Sequence, residues 1–356
     1  MKFVHIADMH FDTSFTRINN NELGNSWRLE QRKAFKKVIE YIKENNVDYL
    51  FIAGDFYEQK YIRESTIGYI NKLFKEIENT KVFITPGNHD PLIKNSFYYK
   101  YNWNKNVHIF SSVISCIKDG NVNIYGYGFD DFYYTNPAIN SFELEDKSKT
   151  NILITHGSLD GGYDDDRVYN PMSSSKVRQL GFDYIALGHI HKSNYTENEN
   201  VVYPGSTIAM GFDEPGRHGM VVGEIVDKKL KTEFIPLDEG EFKINDFDIS
   251  GLESVETIAD TINELILDRS KFYELNLVGN RYFEIDLYNL KKLVQQDNII
   301  KIKDCTKLSY NLEEMSHNNT LKGLFVKEIL DRLESEDYDK ETVEKALEIG
   351  LEILEK

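Results

Sequence analysis

Five short polar motifs, each directly following a short apolar run, constrain the fold of this chain more than any other feature. The apolar runs are rich in β-branched and aromatic residues and are bounded by Gly or Pro, which predicts buried strands. The runs cover residues 3–7, 49–53, 82–85, 152–155 and 184–187, and the motifs are Asp8-Met9-His10, Gly54-Asp55, Gly87-Asn88-His89-Asp90, His156-Gly157 and Gly188-His189-Ile190-His191. Because strand ends of an α/β sheet meet at one edge, these side chains are predicted to form one site.

The residue types in these motifs indicate a site for more than one metal ion. Five of the nine histidines lie in them, together with aspartate and asparagine and without cysteine. Such ligands suit borderline-hard ions such as Mn²⁺, Fe²⁺ or Zn²⁺. His189 and His191 can both bind neighbouring ions only if the chain turns directly after the strand. We expect Gly188 to supply the conformational freedom for that turn.

A lone histidine is more often a surface residue or a hydrogen-bonded core residue than a metal ligand. That interpretation is kept for the four histidines outside the motifs, which are His5, His108, His218 and His317. It does not explain five motifs that follow five strands in order, and for those a metal site is the better hypothesis.

Composition limits the class of protein. The net charge of −17 argues against a protein that coats nucleic acid through a broad basic surface, although metal ions in a site would reverse the field locally. No apolar run approaches the ~20 residues of a membrane span, and no leader precedes the first predicted strand, so secretion and membrane insertion are not expected. Two cysteines, Cys116 and Cys305, do not make a disulfide framework, and a cytoplasmic location is expected.

The order of predicted elements divides the chain into two domains, residues 1–240 and 241–356. In the first, strands alternate with helices at 27–44 and 64–77, and later strands at 107–110, 122–126, 201–203 and 220–226 lack intervening helices. This pattern predicts an α/β fold of two packed mixed β-sheets flanked by helices. The second domain is predicted to be a smaller α+β cap. It has a predicted helix at 255–267, two closing helices at 321–333 and 340–354, and no ligand cluster of its own.

The five motifs in this order, D-x-H, G-D, G-N-H-[DE], H and G-H-x-H, resemble those of the calcineurin-like metallophosphoesterase superfamily over residues 1 to about 226. The resemblance implies a first metal held by Asp8, His10, Asp55 and His191, and a second held by Asp55, Asn88, His156 and His189. It also implies that His89 stabilises the transition state and protonates the leaving oxygen. In such sites two ions ~3.5–4 Å apart convert a shared water to hydroxide, which attacks phosphorus.

Glu58 departs from the superfamily pattern, since some relatives have His and others Asp three residues after the second motif. One hypothesis is that Glu58 accepts a hydrogen bond from His89 and raises its basicity, which would give a catalytic pair. The alternative is a solvated glutamate at the start of a loop, and the sequence leaves both open.

Finer features resemble the SbcD and YhaO group of DNA repair exonucleases. They are the segment 180–192 around the last motif, Tyr203-Pro204-Gly205-Ser206-Thr207, and the segments 160–171 and 320–326, which are more similar to YhaO. This resemblance implies Mn²⁺-dependent hydrolysis of DNA phosphodiesters, an SbcC- or YhaN-type coiled-coil ATPase as partner, and a homodimer formed through helices near 27–44 and 64–77. Two alternatives stay open: a small-molecule or cyclic-nucleotide phosphodiesterase, and a scaffold subunit of an ATPase complex whose metal site is structural.

Overall fold

The chain folds into two compact units, Met1–Lys243 and Ile244–Lys356. The computed structural model describes residues 1–14, 21–135, 137–161, 169–214, 216–237, 242–269, 271–310, 312–335 and 337–354. The domain boundary predicted at residue 240, and residues 162–168 of the YhaO-like segment, lie outside these described residues. No helix in the described part of the chain is both long and apolar enough to cross a bilayer.

The first unit contains two mixed sheets and two long helices. Its strands are β1 (Lys2–Ile6), β2 (Tyr49–Ala53), β3 (Lys81–Thr85), β4 (Val107–Ile109), β5 (Ser115–Asp119), β6 (Val122–Gly126), β7 (Thr150–His156), β8 (Tyr184–Gly188), β9 (Val201–Val202), β10 (Gly219–Val226) and β11 (Lys229–Pro236). Its helices are α1 (Asn21–Asn45), α2 (Glu64–Glu76), the single turn α3 (Phe97–Lys100), α4 (Ser174–Gln179) and a 3-10 helix, Ala138–Ser141.

Each sheet is mostly parallel and has antiparallel pairing at one end only. The six-stranded sheet has the order β11-β10-β1-β2-β3-β4. Strands β1 to β4 are parallel to one another, and β10 pairs antiparallel with both β1 and β11. The five-stranded sheet has the order β5-β6-β7-β8-β9, in which only β5 runs antiparallel. The predicted fold of two mixed sheets flanked by helices is therefore confirmed.

One apolar layer joins the two sheets. Phe51 and Phe83 of the six-stranded sheet share a buried cluster with Ile152 and Tyr184 of the other. On α1, Phe35 is fully buried and packs edge-on against Phe11 in the loop after β1. Since both faces of the central strands are covered, these strands consist of continuous apolar runs, as parallel strands buried on both faces do.

Two edge strands, β5 and β11, were not expected from the sequence. Each lies at the end of its sheet, mixes polar with apolar side chains, and has exposed residues. Edge strands carry charged side chains and bury little surface, so they lack the apolar run that marks the central strands.

The second unit is α+β, as expected. Its strands are β12 (Phe242–Asp248, which begins in the first unit), β13 (Phe272–Val278), β14 (Asn280–Arg281), β15 (Ile299–Asp304) and β16 (Lys307–Leu308), and its helices are α5 (Val255–Asn263), α6 (Leu287–Leu293), α7 (Leu312–Ser316), α8 (Leu321–Glu334) and α9 (Lys340–Leu354). Helix α5 is four residues shorter than the predicted 255–267, because the chain leaves the helix after Ile262, its last buried residue. Among the described residues, every cluster with metal-ligand geometry lies in the first unit.

Candidate metal centre

Loops after β1 and β2 run side by side and carry three of the predicted ligands. The amide of Asp8 donates to the Gly54 carbonyl at 3.2 Å, and the amide of His10 donates to the Asp55 carbonyl at 2.9 Å. Asp8, His10 and Asp55 all have left-handed backbone conformations, with φ of 49°, 47° and 50°. Such conformations cost about 1–3 kcal/mol each in non-glycine residues and are concentrated at functional sites.

The turn after β8 differs from the expectation. Gly188 lies within β8, and the positive φ of 106° belongs to His189 instead, so the expectation that Gly188 supplies the turn is wrong. Glycine is required at residue 188 for a different reason, since a Cβ there would overlap the carbonyl oxygen of Ala53. The close packing of β8 against β2 therefore excludes any side chain at this position, and His189 makes the turn itself.

The first ligand cluster consists of Asp8, His10 and His191, whose ligand atoms lie within 4.8 Å of one another. Nδ1 of His10 lies 2.8 Å from Glu58 Oε1, and Nδ1 of His191 lies 2.5 Å from Glu214 Oε1. A carboxylate only accepts hydrogen bonds, so each Nδ1 carries the proton and each Nε2 offers a lone pair. The two Nε2 atoms lie 3.1 Å apart, so a protonated His191 can donate to His10, and with neutral rings both nitrogens are placed to bind one cation.

The second ligand cluster consists of Asp55, His156 and His189. Nδ1 of His156 donates to the Ala53 carbonyl at 2.9 Å, which leaves Nε2 to face Asn88 Oδ1 at 3.1 Å and Asp55 Oδ2 at 3.3 Å. The same Asp55 oxygen is 3.8 Å from Nε2 of His10 in the first cluster. The seven predicted ligands thus converge, Asp55 faces both clusters, and the donor set suits two divalent ions.

Glu58 links the first cluster to His89. Its Oε1 accepts from His10, and its Oε2 lies 3.0 Å from Nδ1 of His89. The Glu58 side chain is 15% exposed, whereas that of His89 is 45% exposed. The His89 amide also donates to Asp55 Oδ1 at 2.8 Å. His89 is therefore held at the rim of the site, where a substrate can reach it.

The protonation equilibria of the site follow from its buried negative charge. Burial opposes the charged form of His156 and His191, yet Asp55 in one case and the hydrogen bond to Glu214 in the other raise both pKa values to about 9. Partial desolvation opposes protonation of His89, but the hydrogen bond to Glu58 raises its pKa to about 9. In the metal-free site these three histidines are therefore protonated at neutral pH.

The acidic residues and His189 complete the electrostatic description. Burial opposes ionisation of Asp55, but the charge of His156 outweighs it and lowers the Asp55 pKa well below its usual value. Burial raises the pKa of Asp8, whereas hydrogen bonds from two histidines overcome burial at Glu58 and lower its pKa to about 2. Burial and the charge of His156 lower the pKa of His189 to about 3.

Sequence reasoning assigned no role to two carboxylates that organise the site. Asp90 accepts hydrogen bonds from the amides of Asp55, Phe56 and Gly87 and from the hydroxyl of Tyr98, at 2.6–3.1 Å. Its place in the G-N-H-D motif was the available signal. Glu214, which orients His191, also accepts from the Met210 amide and the Ser206 hydroxyl. No motif marks it.

Two histidines outside the motifs are hydrogen-bonded core residues, which agrees with the interpretation kept for them. Nδ1 of His5 lies 2.9 Å from the hydroxyl of Tyr184, and His5 is fully buried. His218 is buried and contacts the hydroxyl of Ser206 at 2.8 Å and the carbonyl of Glu214 at 2.9 Å. Neither belongs to a ligand cluster.

Comparison with known proteins identifies a family and several relatives of this chain. The family model for calcineurin-like phosphoesterase matches residues 1–193. The uncharacterized metallophosphoesterase YhaO of Bacillus subtilis is 27% identical over 246 residues, which are 66% of this chain and 60% of that protein. The chain thus spans three fifths of the length of YhaO.

Two further relatives are named as the D component of the nuclease SbcCD. The protein of Staphylococcus saprophyticus is 27% identical over 67% of this chain and 69% of its own length, and that of Staphylococcus epidermidis is 24% identical over 85% and 82%. The crystal structure of TT1561 of Thermus thermophilus aligns with a TM-score of 0.36 and 9% identity, over 67% of this chain and 99% of that one.

Proposed function

Because the chain belongs to the calcineurin-like phosphoesterase family, we propose that it hydrolyses DNA phosphodiesters with two divalent metal ions, one in each ligand cluster. One observation carries this proposal: a single carboxylate oxygen of Asp55 faces both clusters, 3.3 Å from His156 Nε2 and 3.8 Å from His10 Nε2. A carboxylate between two sets of imidazole ligands is suited to bridging two cations, and the family supports a hydrolase.

The metal ions would supply what the side chains lack. When bound, two divalent cations lower the pKa of a coordinated water toward neutrality and offset negative charge on phosphate oxygens. The donors are carboxylate, amide and imidazole groups without thiolate, which suit Mn²⁺, Fe²⁺ and Zn²⁺. Of these ions we propose Mn²⁺. Asp8, His10 and His191 would hold one ion, His156, His189 and Asn88 the other, and Asp55 both.

His89 and Glu58 would provide the proton chemistry. His89 is exposed at the rim, and its hydrogen bond to Glu58 raises its pKa to about 9 in the metal-free site, which favours the protonated imidazole. A protonated imidazole beside the ions can stabilise charge on the phosphate and give its proton to the leaving oxygen. Glu58 would act through His89 and His10 as a positioning residue, because it contacts both rings.

The substrate and partners that we propose are inferred from the names of the relatives. The Staphylococcus relatives are named as part of a nuclease, which supports DNA as the substrate and exonucleolytic cleavage during DNA repair. By the same analogy we propose a coiled-coil ATPase of the SbcC or YhaN type as partner, and a homodimer through α1 and α2. A cytoplasmic location accords with this role.

A nuclease assay tests the proposal. End-labelled duplex and single-stranded DNA are incubated with Mn²⁺ and wild-type protein or His89→Ala, and product lengths are followed over time. We expect a ladder that shortens from one end with wild type, and a fall in rate of about 10²–10⁴-fold with the variant, as for loss of a general acid. Metal content is measured on both proteins, because His89→Ala should retain its ions.

The same assay separates the two alternatives. A small-molecule phosphodiesterase would hydrolyse a cyclic nucleotide or bis(p-nitrophenyl) phosphate and leave DNA intact. A scaffold subunit would keep its complex and cellular function after His89→Ala. Either outcome would overturn the proposed nuclease activity.

A further inference from the structure

Two tyrosine rings lead from the second ligand cluster toward the surface, and the proposed hydrolysis uses neither of them. The ring centroids of Tyr169 and the predicted ligand His189 are 5.2 Å apart, and those of Tyr169 and Tyr133 are 6.1 Å apart. The ring planes in these two contacts are inclined by 37° and 33°, so neither contact is edge-on. Tyr133 and Tyr169 form an aromatic shelf beside the cluster.

The outer ring of the aromatic shelf is open to solvent, unlike the aromatic side chains that follow the first two motifs. Tyr133 is 61% exposed and the neighbouring Phe132 is 45% exposed, whereas Phe11, Phe56 and Tyr57 are buried. Buried rings of this kind complete the core of the protein. An exposed ring instead offers a face on which a planar ligand can stack.

Backbone hydrogen bonds hold both ends of the loop that carries Tyr133. The Phe129 amide donates to the Pro86 carbonyl at 3.0 Å, which joins the loop to the residue before the third motif. The Asn170 amide donates to the Tyr134 carbonyl at 2.6 Å, and the Asn170 side chain donates to the carbonyl of His156 at 2.6 Å. Because the aromatic shelf is fixed to the ligand loops, stacking of a ligand on it costs less conformational entropy than on a loose loop.

The charge around the aromatic shelf favours a nucleobase over a phosphate as its ligand. Asp130 and Asp131 precede Phe132 in the same loop and are exposed, and the whole chain carries a net charge of −17. Contacts to phosphate require lysine and arginine, whereas stacking of a base on an aromatic ring needs no cationic side chain. A strand whose phosphate lies at the metal ions would therefore be held beside them through a base.

We propose that Tyr133 and Tyr169 stack on an unpaired nucleobase next to the scissile phosphate, a role that rests on the proposed nuclease function. The contact between Tyr169 and His189 places the aromatic shelf beside the second ion, so the stacked base belongs to a nucleotide close to the cleaved bond. A base within a duplex already stacks on its neighbours and is not available to the shelf. The preferred substrate is therefore a single-stranded or frayed end.

A DNA strand that lacks one base tests this proposal. An end-labelled single strand of thymidines carries one internal tetrahydrofuran residue, which keeps the phosphates but has no base, and its digestion with Mn²⁺ is followed by product length. We expect wild type to pause at one fixed distance from the tetrahydrofuran residue, with the local rate reduced about tenfold through loss of one stacked base. Tyr133→Ala should digest the complete thymidine strand more slowly and lose most of the pause.

Two control variants separate stacking from other effects of substitution. Tyr133→Phe keeps the ring without its hydroxyl and should keep the pause. Tyr282→Ala removes a tyrosine of matched exposure, 63%, from the second unit and should also keep the pause. Loss of the pause in Tyr282→Ala, or in Tyr133→Phe, would overturn the stacking role.

The failure of this proposal can be told from failure of the proposed function. A wild type that degrades DNA and passes the tetrahydrofuran residue without a pause would overturn the aromatic shelf alone, and this outcome does not depend on the folding of any variant. A pause of equal strength in wild type and Tyr133→Ala would do the same. A wild type that hydrolyses bis(p-nitrophenyl) phosphate but does not degrade DNA would overturn the nuclease function, and this proposal with it.

Discussion

The two ligand clusters share Asp55 but orient their histidines by different means. In the first cluster, each imidazole donates its Nδ1 proton to a loop carboxylate, Glu58 for His10 and Glu214 for His191. In the second, His156 donates to the carbonyl of Ala53 in β2. A carboxylate partner raises the basicity of a ligand histidine more than a neutral carbonyl does, so we expect the ion proposed for the first cluster to be bound more tightly.

Because of this difference, mutation can replace the hydrogen-bond partners of the histidines in the first cluster but not the backbone partner of His156 in the second. The Ala53 carbonyl belongs to the backbone of a buried strand, and no substitution removes it. The carboxylates of Glu58 and Glu214 belong to separate side chains, so we expect a substitution there to weaken the ion proposed for the first cluster and to spare that proposed for the second. The predictions below test this separation, from the largest effect to the smallest.

Substitution of Asp55, whose carboxylate faces both clusters, should affect both proposed ions. Asp55→Ala removes the oxygen that faces both sites, and we expect loss of both ions and a fall in kcat beyond the ~100-fold that removal of an outer partner costs. Bound metal is measured by elemental analysis and kcat with bis(p-nitrophenyl) phosphate. Asp55→Asn, which keeps an acceptor for the His89 amide, serves as the comparison. Retention of one full equivalent of metal by Asp55→Ala would contradict a bridging role.

Glu214→Gln should weaken only the first cluster. The variant keeps the shape of the side chain but removes the charge that raises the pKa of His191 to about 9, and the affinity of one ion should fall about 10–100-fold. Calorimetric titration should then resolve one weakened and one unchanged site. Ser206→Ala, which removes a hydrogen bond to Glu214 but no charge, is the control. Equal weakening of both ions would show that the clusters are not separable.

Glu58→Gln should change the pH profile more than the maximal rate. A general acid must be protonated, so activity falls as pH rises through the pKa of His89, which Glu58 raises to about 9. Without the carboxylate, that alkaline limb should move toward the ordinary value near 6.5. Glu58→Asp keeps the charge and should retain more of the wild-type profile. An unchanged profile in Glu58→Gln would remove the proposed pairing with His89.

Metal binding should release protons, and this is the smallest predicted effect. His156 and His191 have pKa values of about 9 in the metal-free protein, so both are protonated at pH 7. A proton must leave before either nitrogen binds an ion, so affinity should rise with pH up to about 9 and then level off. Calorimetry in buffers with different protonation enthalpies should report about two protons released at pH 7. Affinity independent of pH over this range would contradict the proton competition.

The parts of the fold that follow from sequence are those with strong local patterns. The central strands are apolar runs followed by polar motifs, and the superfamily resemblance based on those motifs is confirmed by the family match. Edge strands β5 and β11 escaped prediction because exposed residues dilute their pattern. The turn after β8 was misread, because the close approach of the Ala53 carbonyl is a tertiary contact that adjacent residues do not reveal.

The site shows the same division between local and distant information. His191 is marked by its motif, but nothing in the sequence of the loop after β9 indicates that Glu214 contacts it. Asp90 is marked by its motif too, but it accepts hydrogen bonds from the amides of Asp55 and Phe56 in another loop. These contacts depend on how the loops at the strand ends pack against one another.

Sequence alone therefore determined the order of strands and motifs, the residue types at the strand ends and the family, because each depends on residues close together in the chain. Tertiary structure alone decided that Glu58 contacts both His10 and His89, and that Glu214 orients His191. Those relations depend on distances between side chains tens to hundreds of residues apart, which only the packing of sheets, helices and loops sets.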